Sequence, residues 1–208
     1  MLTGIRLKRQ IGWAFYLYLS PMDRADLFFD LSLYKTKYHE EKLFLSSIIE
    51  LIEKEPECFK RSLLSGHITG SAWVVNESFS KSILIFHAKL GRWLQPGGHA
   101  DGDENIHGVA ARELQEETGL KKFRLFNDSI FDIDIHLIPK YKEIPAHNHF
   151  DIRYLFVADD TEEIKSNHES LNIKWWDLED LSDLVKNDNS MLRLIKKTKP
   201  LKVLLGHQ

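Results

Sequence analysis

A single cysteine, Cys58, in 208 residues excludes an intrachain disulfide and any metal site built from several thiolates. Such a chain suits a reducing compartment, so a cytoplasmic location is expected, and Cys58 reads as an unreactive structural thiol. Basic excess is missing as well. With 28 Lys and Arg against 31 Asp and Glu, the formal charge of -3 lacks the footprint needed to bind long nucleic acid. A small anionic ligand fits better, with bound cations supplying the positive charge. Long apolar runs are also absent. Ile11 to Leu19, after the basic Arg6 to Arg9, resembles a short signal peptide but is too short to span a bilayer. A turn and helix start, Ser20-Pro21-Met22-Asp23, follows it in place of a small-residue cleavage site. The run therefore reads as a packed N-terminal segment, or as residues ahead of a start at Met22, and no membrane association is expected. No internal repeat or low-complexity tract occurs, which excludes solenoids and biased linkers.

What is present is enough apolar material, 43% of residues, for one good core or for one domain with an appendage. Residues 22 to about 65 read as helical: Asp23 can cap a first segment, and Phe44, Ile48, Leu51 and Ile52 form an apolar stripe on a second. This extension could pack on the main domain, form a homodimer contact or cover a substrate pocket, and the sequence leaves these alternatives open. Strand character begins at Ile68. Strands are expected at Ser71 to Val75 and Ser82 to Ala88, then near Phe123 to Phe126, Ser129 to Ile138, His149 to Ala158 and Ile173 to Trp176. Helices are expected near Asn105 to Thr118, ended by Gly119, from Leu178 to Lys186, and through Met191, Leu192 and Ile195. The order implies an α/β/α sandwich with a mixed sheet plus an N-terminal helical extension, divided as residues 1–66 and 67–208. Trp93 and Trp13 read as packing residues.

Within GGHADGDENIHGVAARELQEETGL, Gly98, Glu104, Arg112, Glu113, Leu114, Glu116, Glu117, Gly119 and Leu120 fall into the spacing G-x5-E-x7-R-E-L-x-E-E-x-G-L. At about 100° per residue, Glu113, Glu116 and Glu117 share roughly a 100° arc of one helix face. Like charges at i,i+3 and i,i+4 destabilise an isolated helix by about 0.2 to 0.5 kcal/mol per pair, so the cluster is a poor choice unless a cation fills it. Hard divalent cations such as Mg²⁺ or Mn²⁺ suit carboxylate oxygen, water and substrate phosphate. A solvated acidic helix face is the bland alternative, and the accompanying glycines and arginine argue against it.

The pattern resembles the Nudix box at every defining position, and the run LGRWLQPGGHADGDE with PAHNHFDIR is similar to a subset of bacterial Nudix proteins. The resemblance implies a Nudix-like fold. It also implies a metal-dependent hydrolase of phosphoanhydride bonds, acting on a nucleoside diphosphate linked to another moiety. By the same resemblance, Glu113, Glu116 and Glu117 are metal ligands and catalytic residues, a main-chain carbonyl of Gly97 or Gly98 joins them, and Glu104 and Arg112 are structural. The cations neutralise phosphate charge and lower the pKa of a bound water. Glu116 is the first candidate for the base that deprotonates that water; Glu169, in a loop where several relatives supply an acid, is the second.

Two polar rows add to this site. Asp132, Asp134 and His136 alternate with apolar residues, as do His147, His149, Asp151 and Arg153, so each set shares one strand face. The short connection from Pro139 to Ala146 allows an antiparallel hairpin, which would join the rows into one wall. One reading is an exposed face with surface ion pairs. The other lines the substrate groove, with Arg153 on phosphate, a histidine on sugar, base or an additional metal, Asp151 beside them, and His99 at the metal turn. Two alternatives to hydrolysis remain: a non-catalytic nucleotide sensor on the same fold, and a prenyl-diphosphate isomerase. Intact acids weigh against the first. Cys58, placed outside the sheet where a catalytic thiol belongs, weighs against the second.

Overall fold

The computed structural model describes residues 22–88, 90–167 and 170–205. The N-terminal basic and apolar run, Trp13 and Glu169 lie outside these residues. Two helices come first, α1 (Arg24–Leu33) and α2 (His39–Lys54). The Asp23 carboxylate accepts the N–H groups of Ala25 and Asp26 while the Asp26 carboxylate accepts that of Asp23, closing a capping box at the start of α1. Ile48, Leu51 and Ile52 are buried as the stripe requires. They join Leu27 and Leu31 of α1 and the sheet residues Ile68 and Tyr154 in one cluster, so the helical extension shares the main core.

The remaining elements are β1 (Gly66–Asn76), β2 (Lys81–His87), β3 (Arg92–Leu94), β4 (Gly97–His99), α3 (Ile106–Thr118), β5 (Phe123–Leu125), β6 (Asp132–Ile138), β7 (His147–Ala158), β8 (Ser170–Asp177), α4 (Leu178–Leu184) and α5 (Asn189–Leu205). The eight strands form one mixed sheet. Strands β1 and β7 run parallel from Gly66 opposite Asn148 to Asn76 opposite Ala158, and the other pairings are antiparallel.

Helices cover both faces. Ile68, Ala72 and Val74 of β1 and Ile152, Tyr154 and Phe156 of β7 pack with residues of α1, α2 and α3. The alternate residues Trp73, Val75, Leu155 and Val157 pack with Leu178 and Leu181 of α4 and Met191, Leu194 and Ile195 of α5. Strands buried on two sides read as continuous apolar runs, which is how Ala72 to Val75 and Leu155 to Ala158 appear in the sequence. The indole N–H of the fully buried Trp73 donates to the Thr198 hydroxyl at 2.8 Å, which removes the cost of burying it unpaired. The architecture is the expected α/β/α sandwich with an added pair of N-terminal helices.

Differences from expectation are local. The three-residue strands β3 and β4 occupy Arg92–Leu94 and Gly97–His99, too short for periodicity to register. Strand β8 begins at Ser170, ahead of the expected Ile173, because polar residues there still pair with β2. Among the described residues, no helix is long and apolar enough to cross a membrane.

Candidate functional site

Helix α3 buries Ala110 and Leu114 and brings Glu113 and Glu117 against β4, while Glu116 stays exposed. Gly119 ends the helix in the left-handed region at φ 71°, its N–H reaching the Gln115 carbonyl at 2.9 Å. Strand β4 lies against β1 with Gly97 opposite Ser71, Gly98 opposite Gly70 and His99 opposite Thr69. At Gly98 a Cβ would sit 2.6 Å from the Glu113 carboxyl carbon, so glycine permits the close approach of this acid to the turn. The Glu117 carboxylate, buried, accepts the Gly97 N–H at 2.8 Å.

Arg112 connects the same parts from outside. One guanidinium nitrogen lies 2.9 Å from Glu113 and 3.8 Å from Glu116, and the other donates to the His99 carbonyl at 3.1 Å. Glu104 accepts the Arg24 main-chain N–H at 3.0 Å and its Nε at 3.4 Å, tying the loop before α3 to α1. Both residues therefore make scaffolding contacts in the box.

The donor set suits a hard cation. It offers carboxylate oxygens on one helix face and main-chain carbonyls in the adjoining turn. The three carboxylates are not closed into a cage, since Glu113 leans on Arg112 and Glu117 on the Gly97 N–H. Mg²⁺ does not need a cage, because it usually takes one or two carboxylates and fills the remaining positions with water and substrate phosphate.

The two polar rows meet as the hairpin reading required. Strands β6 and β7 pair with Asp132 opposite Arg153, Asp134 opposite Asp151 and His136 opposite His149. The face is not exposed, however. Arg153 is 3% accessible, and its guanidinium binds Asp151 at 2.7 Å, Asp132 and Asp134 at 3.2 Å each, and the Ser190 hydroxyl at 2.6 Å. Three carboxylates and the Ser190 hydroxyl of α5 take its donors, so Arg153 is engaged within the sheet face rather than presented on an open surface. Asp151 is likewise buried, accepting Thr69 at 3.0 Å and Ser71 at 2.7 Å as well as Arg153.

Three residues of this network were not legible as such in the sequence. Arg193 of α5 binds Asp132 at 2.8 Å and Asp134 at 3.0 Å; Lys197 binds Asp132 at 2.9 Å and also Glu41, a fully buried acid of α2. The signal was available only as charges on the otherwise apolar faces of two amphipathic helices. Burial acts to raise the Asp134 carboxyl, but the charge of Arg153, the hydrogen bond from His136 and Arg193 together outweigh it and hold it well below the ordinary carboxylate range. Asp132 is lowered for the same kind of reason: burial opposes, and Arg193, Arg153 and Lys197 prevail.

Beyond this ionic patch the same sheet face ends in histidines. His67 lies opposite His149 on β7, and His99 stands one strand away on β4. Ring centroids are 5.1 Å apart for His67 and His99, 5.0 Å for His67 and His149, and 4.9 Å for His99 and His149. His147 and His136 flank them, at 5.3 and 5.5 Å from His149. Desolvation lowers His99 to about 4, helped by the charge of Arg61, and lowers His149 to about 2, helped by neighbouring histidines. His67 also falls by burial, partly offset by its hydrogen bond to Leu63. All three are therefore neutral imidazoles at pH 7. His67 was not singled out from the sequence because it stands alone at the start of an apolar strand.

The profile of the NUDIX domain matches residues 68–197, spanning nearly all of the sheet, α3 with its acids, and the first half of α5. The chain belongs to the NUDIX family. It is a Nudix-type hydrolase of pyrophosphate bonds. Two solved structures share the Nudix fold at low identity. A Caenorhabditis elegans Ap4A hydrolase in a binary complex aligns with TM-score 0.51 and 19% identity, over 67% of this chain and 98% of that one. A MutT protein from Methanosarcina mazei Go1 aligns with TM-score 0.50 and 19% identity, over 65% and 94%. No curated protein sequence matches the chain. The Nudix profile begins beyond α1 and α2, whose buried residues pack in the same core as the matched sheet and α3.

Proposed function

We propose that this protein is a divalent-metal-dependent pyrophosphohydrolase that cleaves the phosphoanhydride bond of a nucleoside diphosphate linked to another moiety. The observation that supports this reading is the close approach of Glu113 to Gly98 and of Glu117 to the Gly97 N–H, with Glu116 on the same helix beside Arg112 and with Arg112 and Glu117 each gripping the main chain of β4. Those three acids, with a carbonyl of Gly97 or Gly98, would hold Mg²⁺ or Mn²⁺. Such a cation, when bound, supplies charge neutralisation at the diphosphate and acidifies an attacking water.

The chain's own residues set the geometry. Arg112 restrains Glu113 and the His99 carbonyl, and Glu117 fixes the turn through Gly97 N–H. Glu116 has the more accessible side chain of the two acids beside Arg112, 57% against 15% for Glu113, which supports it as the first candidate to accept a proton from water. Glu169 is the second candidate for that base. His99, His147 and His149 lie at the histidine end of the sheet face that Asp151 and Arg153 stiffen from within, and their contact with substrate is the remaining part of the proposal.

Incubating the purified chain and Mg²⁺ with a panel of such nucleoside diphosphate compounds should release a nucleoside monophosphate. Glu116→Gln and Glu117→Gln should each lower turnover by roughly 10²- to 10⁴-fold without changing the circular dichroism spectrum. Metal-dependent nucleotide binding with no product from any compound would favour the sensor reading instead.

A further inference from the structure

We propose that His67, His99 and His149 form a second metal site, for Zn²⁺ or a similar transition metal, that clasps strands β1, β4 and β7 and is separate from the glutamate site. One ligand atom from each of the three histidines lies within 4.8 Å of those of the other two, and among the described residues they are the group of His, Cys, Asp and Glu that meets this condition. Nitrogens around a tetrahedral Zn²⁺ with bonds of about 2.0 to 2.1 Å stand roughly 3.3 Å apart, so small ring rotations close the site. Imidazole nitrogen suits Zn²⁺, copper, nickel and iron, whereas Mg²⁺ prefers oxygen.

Two further observations point to a ligand. The Nε2 atoms of His67 and His149 are buried and have no hydrogen-bond partner among the described residues, although His67 is only 1% exposed. Buried polar atoms are normally satisfied, and a nitrogen lone pair among other imidazoles without a donor in reach is free to take a metal ion. The outer nitrogen of His67 is engaged: Nδ1 lies 3.2 Å from the Leu63 carbonyl. An N–H donated there leaves Nε2 as the inward lone pair, the arrangement by which ligating histidines are oriented. His147, outside the three-histidine group, flanks it, with Nδ1 at 2.9 Å from the Pro145 carbonyl and its ring 5.1 Å from that of His67.

The location gives the clasp a consequence. Glu113 packs against Gly98, and the next residue, His99, sends its ring to the opposite face of β4, into the histidine group. A metal on His99 would therefore pin the strand whose main chain Arg112 and Glu117 hold from the other face. It would act as a brace for the glutamate turn from behind, with β1 and β7 as the fixed anchors.

The full chain, stripped with a chelator, should take up one Zn²⁺ per molecule by titration calorimetry, with excess Mg²⁺ leaving that uptake unchanged. The melting temperature should rise on zinc addition, because a ligand bound only by the folded state stabilises it. His99→Ala and His149→Ala should each weaken zinc binding by about tenfold or more, and Glu113→Gln with Glu117→Gln should leave it intact. X-ray absorption at the zinc edge of the unmutated chain should show imidazole scattering from at least three nitrogens, a readout independent of how the variants fold. No uptake, uptake abolished by Mg²⁺ or by the glutamate changes, or an oxygen-only shell would overturn the proposal. Neither metal readout uses a substrate, so its outcome is independent of whether the hydrolase reading succeeds.

Discussion

Replacing Arg153 with methionine tests whether this arginine is part of the frame or a phosphate ligand. In the buried network Arg153, Arg193 and Lys197 face Asp132, Asp134, Asp151 and Glu41, so the change leaves four acids against two bases. The side chains of Arg153 and Asp132 are 3% and 0% accessible, so water cannot replace the lost partner without opening the packing against α5. Removing one member of a buried ion pair costs about 3 to 5 kcal/mol. Against a typical total of roughly 5 to 15 kcal/mol, the variant should fold with a much reduced margin. Urea denaturation at pH 7, followed by tryptophan fluorescence, should show that loss.

The pH dependence supplies a second check. Asp132 and Asp134 are held below the ordinary carboxylate range, which gives stability that is present above the unfolded pKa of about 3.9 and is lost as pH falls through the folded value. Arg153→Met removes part of that depression, so its deficit should be full near neutrality and shrink only as the pH falls below about 4, toward the depressed folded values. A loss below about 1 kcal/mol would refute the buried-network argument. Unchanged stability with a raised KM for a diphosphate would place Arg153 on the substrate.

Two other outcomes follow from the site. Gly98→Ala puts a Cβ 2.6 Å from the Glu113 carboxyl, at the end of a flexible side chain, so Glu113 should swing away at little cost in stability. Turnover should then fall on the order of 10²-fold, as misplacing a catalytic group by about 1 Å can do; wild-type kinetics would show that Glu113 does not need the turn. Cys58 is fully buried and its thiol is pushed up to about 11 by burial, so a thiol reagent at pH 8 should label it only after denaturant is added. Rapid labelling of the native chain would contradict that packing.

Local order explains what could be read from the chain. Three acids at helical spacing must share a face of α3 wherever that helix sits, and Gly119 must end it, because both depend on the backbone within a few residues. Period-two alternation likewise placed Asp132, Asp134, Asp151 and Arg153 on common strand faces, and the short loop made β6 and β7 antiparallel neighbours. What alternation could not say is which face meets solvent. An alternating polar face is usually outside, and here α5 brings Arg193 and Lys197 down onto it while α2 contributes Glu41, so the same row becomes buried and neutralised.

The sequence by itself determined the family, the acid helix with its glycine turn, and the sandwich of strands and helices, since each is written in spacing along a continuous segment. Only the tertiary structure decided that Arg153 is buried among three carboxylates, that α1 and α2 share the main core, and that His67, His99 and His149 meet. Those outcomes join residues from distant segments, and their proximity is set by strand register and helix docking, which no single stretch of sequence encodes.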